Sequence, residues 1–149
     1  MKRRAPVSVD DCGMAVAANL VGDRWMLLIL REAFYGVTRY DDIREDLGIS
    51  RSVLTDRLQK LVAIGVMKRQ LYQEHNDRKR LAYVLTARGR ELGIVMLALL
   101  QWGNRSLPPG RRHDIVERST GRPVQLEIVN GDGARINSDD IEIGLTSDN

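Results

Sequence analysis

Between Tyr40 and Thr86 the apolar positions change period twice, and each change marks an element. Ile43 and Leu47 fall on one side of a short helix that Gly48 stops, and Ser50, after the turn Gly48-Ile49-Ser50, is placed to cap the next helix. In that second helix, about 50 to 64, Leu54, Leu58 and Leu61 recur at i, i+4 and i+7 and form the buried stripe. The opposite side carries Ser52, Thr55, Asp56, Gln59 and Lys60, with Arg51 at its N-terminal edge, and Gly65 ends the helix. Two strands follow, about 66 to 72 and 81 to 85, on either side of Gln73–Arg80, where Asn76-Asp77 signals a turn.

Helix, tight turn, helix and basic-tipped hairpin is the order of a winged helix-turn-helix, whose second helix is shaped to enter a DNA groove. Two helices precede it, about 11 to 21 and 24 to 35, separated by Gly22-Asp23 with Asp23 as the N-cap. The second is apolar on most of its surface through Trp25, Leu27, Leu28, Ile29, Leu30 and Phe34, so it belongs in the domain centre or at a subunit contact. Gly36 stops it and Thr38 can cap the helix after it. Thr86 caps a long helix, about 87 to 105.

From Pro108-Pro109-Gly110 the pattern changes, and a boundary is expected there. Residues 1–107 read as the DNA-binding and dimerisation domain and 108–149 as a small β-rich extension. In that extension β-branched runs at about 114 to 118, 123 to 129 and 140 to 145 alternate with turns at Ser119–Gly121 and Asn130–Gly133, which predicts a three-stranded piece. The expected fold class is therefore mainly α with small β. A β piece of this size buries little surface alone and should pack on the long helix or on a partner subunit.

Charge sharpens the division. Residues 1–112 hold 20 Lys and Arg against 12 Asp and Glu, a net of +8, whereas residues 113–149 hold 3 against 8, a net of −5. A cation-rich region suits a polyanion, because phosphate contacts release condensed counterions. The DNA-facing part is thus expected in the first two-thirds of the chain. No run of 18 apolar residues predicts a membrane span, and the start has a basic trio but no apolar stretch of a secretory signal. A lone cysteine, Cys12, offers no internal disulfide and, with two histidines, no zinc site, which predicts a soluble cytoplasmic protein without metal or cofactor. No catalytic constellation is present: there is no glycine-rich phosphate loop, no nucleophile beside a base, and His75 and His113 fall in expected loops. The chain does not read as an enzyme.

The chain resembles the HxlR family of bacterial winged-helix regulators. The resemblance is carried by Cys12, Val21–Leu30, Phe34–Gly36, Arg39–Ile43, Leu47–Ser50, Leu54–Leu58, Gly65, Tyr83–Thr86 with Gly89, and Gln101–Gly103. It implies a homodimer that binds double-stranded DNA in a sequence-specific way as repressor or activator, joined through the N-terminal helix and the long helix after the wing. Two features depart from the family pattern. The wing here lacks the usual prolines and reads His75–Arg80, a more basic tip; and residues 113–149 resemble the cysteine-rich ribbon of longer members with every cysteine lost.

On chemistry, Arg51 and Gln59 are the candidates for base edges, since Arg pairs with guanine and Gln with adenine. Ser52, Thr55 and Lys60 suit phosphates or mixed contacts. Asp56 either accepts from a cytosine amino group or orients Arg57 or Lys60, and Arg57 either braces the helix or touches the DNA backbone. Arg78, Lys79 and Arg80 alternate across a strand, so at most two share a face toward flanking phosphates or the minor groove. The bland reading of both sets is a solvated surface. His75 reads as an incidental loop residue rather than a pH sensor. Cys12 is the candidate for an oxidant-sensing thiol, which the resemblance implies for some members; Asp10 and Asp11 beside it oppose a thiolate, and a small core residue is the alternative. Trp25, Phe34, Tyr40 and Trp102 either line a small-molecule effector pocket or belong to the core. The rival to a DNA-binding regulator is a winged-helix module that docks on proteins alone.

Overall fold

A computed structural model describes residues 5, 7–74 and 78–144. His75, the turn at Asn76-Asp77, and Leu145 at the end of the third expected extension strand lie outside the described residues. By internal contacts the chain divides into two compact units, residues 13–96 and residues 1–12 with 97–149.

The first unit runs α1 (Gly13–Val21), α2 (Arg24–Phe34), α3 (Tyr40–Leu47), α4 (Arg51–Ala63), β1 (Met67–Tyr72), β2 (Arg80–Leu85) and α5 (Ala87–Glu91), and takes in the start of α6 (Gly93–Gly103). It is a winged helix-turn-helix. The Asp23 carboxylate caps α2, accepting from the backbone N–H groups of Trp25 at 3.1 Å and Met26 at 3.2 Å. Gly48 takes the left-handed conformation that ends α3 (φ +59), and the Ser50 hydroxyl accepts from the Val53 N–H at 3.4 Å to start α4. Ile29 and Leu30 of α2, Ile43 of α3, and Leu54, Leu58 and Leu61 of α4 are completely buried and form the core with Met67. β1 and β2 pair antiparallel from Met67 opposite Leu85 to Tyr72 opposite Arg80.

Three local expectations change. Thr38 does not cap α3; Arg39 holds that position without a side-chain bond. The reason is that residues 38 and 39 are used by the sheet: the Thr38 carbonyl accepts from the Tyr83 N–H at 2.8 Å, and Arg39 bridges Ala82. The first helix starts at Gly13 rather than 11, because Val9–Asp11 wind into a 3-10 turn that Ser8 caps. The long helix breaks at Leu92 into α5 and α6. Gly89 and Gly93 flank the break, and glycine gives the helix little support against it. Gly89 is itself required by packing, since a Cβ there would lie 2.1 Å from the Val66 carbonyl oxygen. The cap of α5 is as expected: Thr86 accepts from the Gly89 N–H at 3.0 Å and donates to the Gly65 carbonyl at 2.6 Å.

A second bond network fixes α4 against α2. Arg57 donates from Nε to Asp23 Oδ1 at 2.9 Å and from Nη2 to Oδ2 at 3.3 Å. Of the two roles open to Arg57, bracing is the one its geometry takes. The Asp23 carboxyl is held below the usual carboxylate range, first by the Arg57 hydrogen bonds, with desolvation opposing and the Met26 and Trp25 N–H groups assisting.

In the second unit the expected three-stranded piece is not formed. Among the described residues 108–144 there are two isolated bridges, Val116 to Pro123 and Val129 to Arg135, and 3-10 turns at Pro109–Arg111 and Ser138–Asp140. The turns at Gly121 and Gly133 occur where expected, both with positive φ. Side chains take the place of strand partners. Gln101 donates to the Leu126 carbonyl at 3.0 Å and accepts from the Leu126 N–H at 2.7 Å. Asn104 treats His113 in the same way, at 2.8 and 3.1 Å. With those backbone groups satisfied by amides, a continuous ladder is not needed.

Two measurements test these arrangements. Replacing Gln101 and Asn104 together by Ala is expected to raise protease cleavage within 108–144 several-fold while leaving the unfolding midpoint of the 13–96 unit in place; unchanged cleavage would show that the amides do not hold the segment. A carboxyl whose pKa is lower folded than unfolded stabilises fully above its unfolded value, and loses that effect as pH falls through its folded value. Wild type is therefore expected to lose stability more steeply as pH falls below about 4 than Asp23→Asn, which keeps the cap but not the charge. Denaturant unfolding across that range reads the difference, and parallel curves would remove the ion pair from the account.

Candidate nucleic-acid interface

The side chains singled out on α4 all reach solvent. Arg51, Ser52, Thr55, Gln59 and Lys60 are all exposed, while Leu54, Leu58 and Leu61 behind them have no solvent contact. The roll of the helix is thus set from inside, and the polar residues follow. Asp56 is half-buried at the edge of this surface and is matched by two cations: Lys60 Nζ lies 3.0 Å from Oδ2, and the Arg57 guanidinium pairs with the same oxygen. The Asp56 carboxyl is accordingly lowered from its ordinary value, first by Lys60 and then by Arg57. Asp56 therefore pairs with both Arg57 and Lys60, which largely compensate its charge.

Tyr40, the first residue of α3, reaches across the turn. Its hydroxyl donates to the Arg51 carbonyl at 3.0 Å and lies 2.9 Å from Thr55 Oγ1. Tyr40 thereby ties the first two turns of α4 to α3. Sequence reasoning placed Tyr40 among the aromatic pocket or core residues and missed this contact. The usable signal was an aromatic hydroxyl at the first position of the helix-turn-helix.

In the wing, Arg78, Lys79 and Arg80 are all exposed, but only Arg80 lies in β2; Arg78 and Lys79 precede it, so strand alternation does not sort the three. An open cleft of about 580 Å³ separates this tip from the start of α3, lined by Tyr40, Tyr72, Tyr83 and the three basic residues among others. Arg39 also borders it. Its guanidinium stacks 5.1 Å over the Tyr72 ring and pairs with Glu74. Arg39 is a cation beside the wing that the pattern of the sequence did not single out.

The remaining candidates are dispersed. Cys12 is half-buried and closes the 3-10 turn that contains Asp10 and Asp11. Trp25 and Tyr40 pack against the core, whereas Phe34 and Trp102 are exposed, at 37% and 69%. Among the described residues no group of His, Cys, Asp and Glu could hold a metal ion, and no single helix is long and apolar enough to cross a membrane.

Known proteins resemble the chain in sequence and in fold. A family model, HxlR-like helix-turn-helix, matches residues 20–111. The uncharacterized HTH-type transcriptional regulator Rv3095 of Mycobacterium tuberculosis is 43% identical over 110 residues, which cover 74% of this chain and 63% of that protein. The chain therefore spans less than two-thirds of that relative. Among solved structures, PA1607, described as a candidate transcription factor, superposes with a TM-score of 0.79 at 34% identity over 89% of this chain and 94% of its own. A second, PA1374 from Pseudomonas aeruginosa, gives 0.62 at 34% identity over 91% and 92%. These relatives are named as transcription factors and HTH-type transcriptional regulators. With more than half its length matched by the family model, the chain belongs to the HxlR-like helix-turn-helix family of transcriptional regulators.

Proposed function

We propose that the chain is a homodimeric, sequence-specific DNA-binding regulator, in which α4 enters a major groove and the wing lies on the adjacent backbone. The observation that carries this reading is the exposed set Arg51, Ser52, Thr55, Gln59 and Lys60 over a leucine stripe that is wholly buried. In this arrangement Arg51 and Gln59 address base edges, Ser52 and Lys60 the phosphates, and Arg78, Lys79 and Arg80 the flanking backbone. Residues 1–107 would supply DNA binding and dimerisation, with 108–149 as an extension.

Support for a dimer comes from two helices with unpartnered apolar surface. In α1, Met14 and Val16 are 77% and 51% exposed. In α6 no residue is buried, and Ile94, Val95, Leu99 and Trp102 face solvent. A helix this apolar calls for a covering surface, and a second copy supplies one. Two-fold symmetry then requires an inverted-repeat operator with half-site centres about 34–36 Å apart, or a multiple.

Titration of an enriched operator at two salt concentrations tests the reading. Affinity is expected to fall steeply with salt. Arg51→Ala or Gln59→Ala should each cost about 1–3 kcal/mol on the specific site and relax preference at one base pair, while Lys79→Ala should weaken all sequences alike and flatten the salt slope. A module that docks only on proteins would show no salt-linked DNA affinity, and an operator affinity indifferent to Arg51 and Gln59 together would defeat the assignment.

A further inference from the structure

We infer that Thr55 reads the C5-methyl group of a thymine, with its hydroxyl committed to Tyr40 and its own methyl turned to the DNA. The inference rests on α4 entering the major groove, as proposed above, and revises the mixed or phosphate contact that the sequence suggested for Thr55.

The argument is one of proton supply. A tyrosine hydroxyl has one proton. Tyr40 gives it to the Arg51 carbonyl at 3.0 Å, an oxygen that can only accept. The 2.9 Å contact between Tyr40 Oη and Thr55 Oγ1 therefore needs its proton from Thr55. The threonine hydroxyl is then a spent donor whose exposed electron pairs would meet phosphate oxygens, which also only accept. A phosphate contact at Thr55 requires breaking the Tyr40 bond first.

The same bond sets the rotamer. A β-branched side chain has few staggered positions, and fixing Oγ1 toward α3 fixes the Cγ2 methyl as well. Thr55 is exposed on the surface it shares with Ser52, one turn before it, and Gln59, one turn after it. With the hydroxyl proton committed to Tyr40, the group left to make an apolar contact is the methyl. In the major groove the thymine methyl is the apolar feature such a group can meet, and an apolar contact of this kind distinguishes thymine from the other bases. Tyr40 is a positioning residue: it acts on DNA through Thr55 and through the first-turn carbonyl it holds.

The test uses the full chain and the duplex it enriches from a random library. Each thymine of a half-site is replaced in turn by uracil, which removes only the methyl. Wild type is expected to lose about fourfold in affinity at one thymine per half-site, the size of one buried methyl contact. Thr55→Ser keeps the hydroxyl and removes the methyl, and should bind the thymine and uracil duplexes equally at that position. Thr55→Val keeps the methyl and should preserve the ratio, while Tyr40→Phe frees the rotor and should reduce it. The inference is overturned if wild type and Thr55→Ser give the same thymine-to-uracil ratio at every position, or if Thr55→Ser weakens all sequences alike, as a phosphate contact would. Absence of any salt-linked DNA affinity would instead remove the proposed function itself, and this inference with it.

Discussion

Burial of Leu54, Leu58 and Leu61 fixes the roll of α4 about its own axis, and the outward chemistry of that helix depends on it. Fully burying one leucine contributes about 1.5–3 kcal/mol. A roll that brought all three to the surface would thus cost on the order of 5–9 kcal/mol, comparable to the whole stability of a small domain. No contact available to the polar residues offsets a term of that size. Arg51, Ser52, Thr55, Gln59 and Lys60 therefore face outward whether or not anything lies against them. The surface is preorganised by the core, which lowers the cost of ordering it on a partner.

Roll leaves the tilt and axial position of α4 to be set, and here the polar contacts divide the work. Asp23 serves two elements at once, as the N-cap of α2 and as the acceptor for Nε and Nη2 of Arg57 on α4. Tyr40 fixes the other end of the same helix through the Arg51 carbonyl. Neither contact needs to be strong to be specific: exposed ion pairs contribute little net energy, but a bidentate guanidinium tolerates few orientations. The Asp56 pairs have a different consequence. They gather Lys60 and Arg57 around one carboxylate and so compensate its charge.

What the sequence made legible were features with strong local signatures. The leucine spacing, the Gly48 stop, the Ser50, Asp23 and Thr86 caps and the wing strands all follow from periodicity and capping chemistry, and each is found where it was expected. What was illegible depends on partners distant along the chain. Thr38 has the chemistry of a cap, yet its backbone is taken by Tyr83, a pairing that no local pattern announces. Arg57 was equally consistent with two roles until Asp23, 34 residues earlier, chose one. By residue type Thr55 suits a phosphate or mixed contact, and nothing local announces that its hydroxyl meets that of Tyr40, 15 residues earlier.

The extension shows the same limit with a different physical cause. Its β-branched runs carry the strand signal, but among the described residues 108–144 none is fully buried, and only Ile115, Leu126 and Ile136 are even half-buried. With so little apolar surface removed from water, hydrophobic pairing cannot hold a sheet together, and small β pieces in this position need a staple. The four hydrogen bonds from Gln101 and Asn104 supply one. At about 0.5–1.5 kcal/mol each they total a few kcal/mol, the scale of one disulfide. They grip the backbone at His113 and Leu126, on either side of the Gly121 turn, so the loop between is closed at both ends as a crosslink would close it. A match covering 89% of the chain necessarily reaches past Pro108, so part of this segment shares its path with PA1607. Amide side chains projecting from residues 101 and 104 thus hold the segment at two points of its backbone.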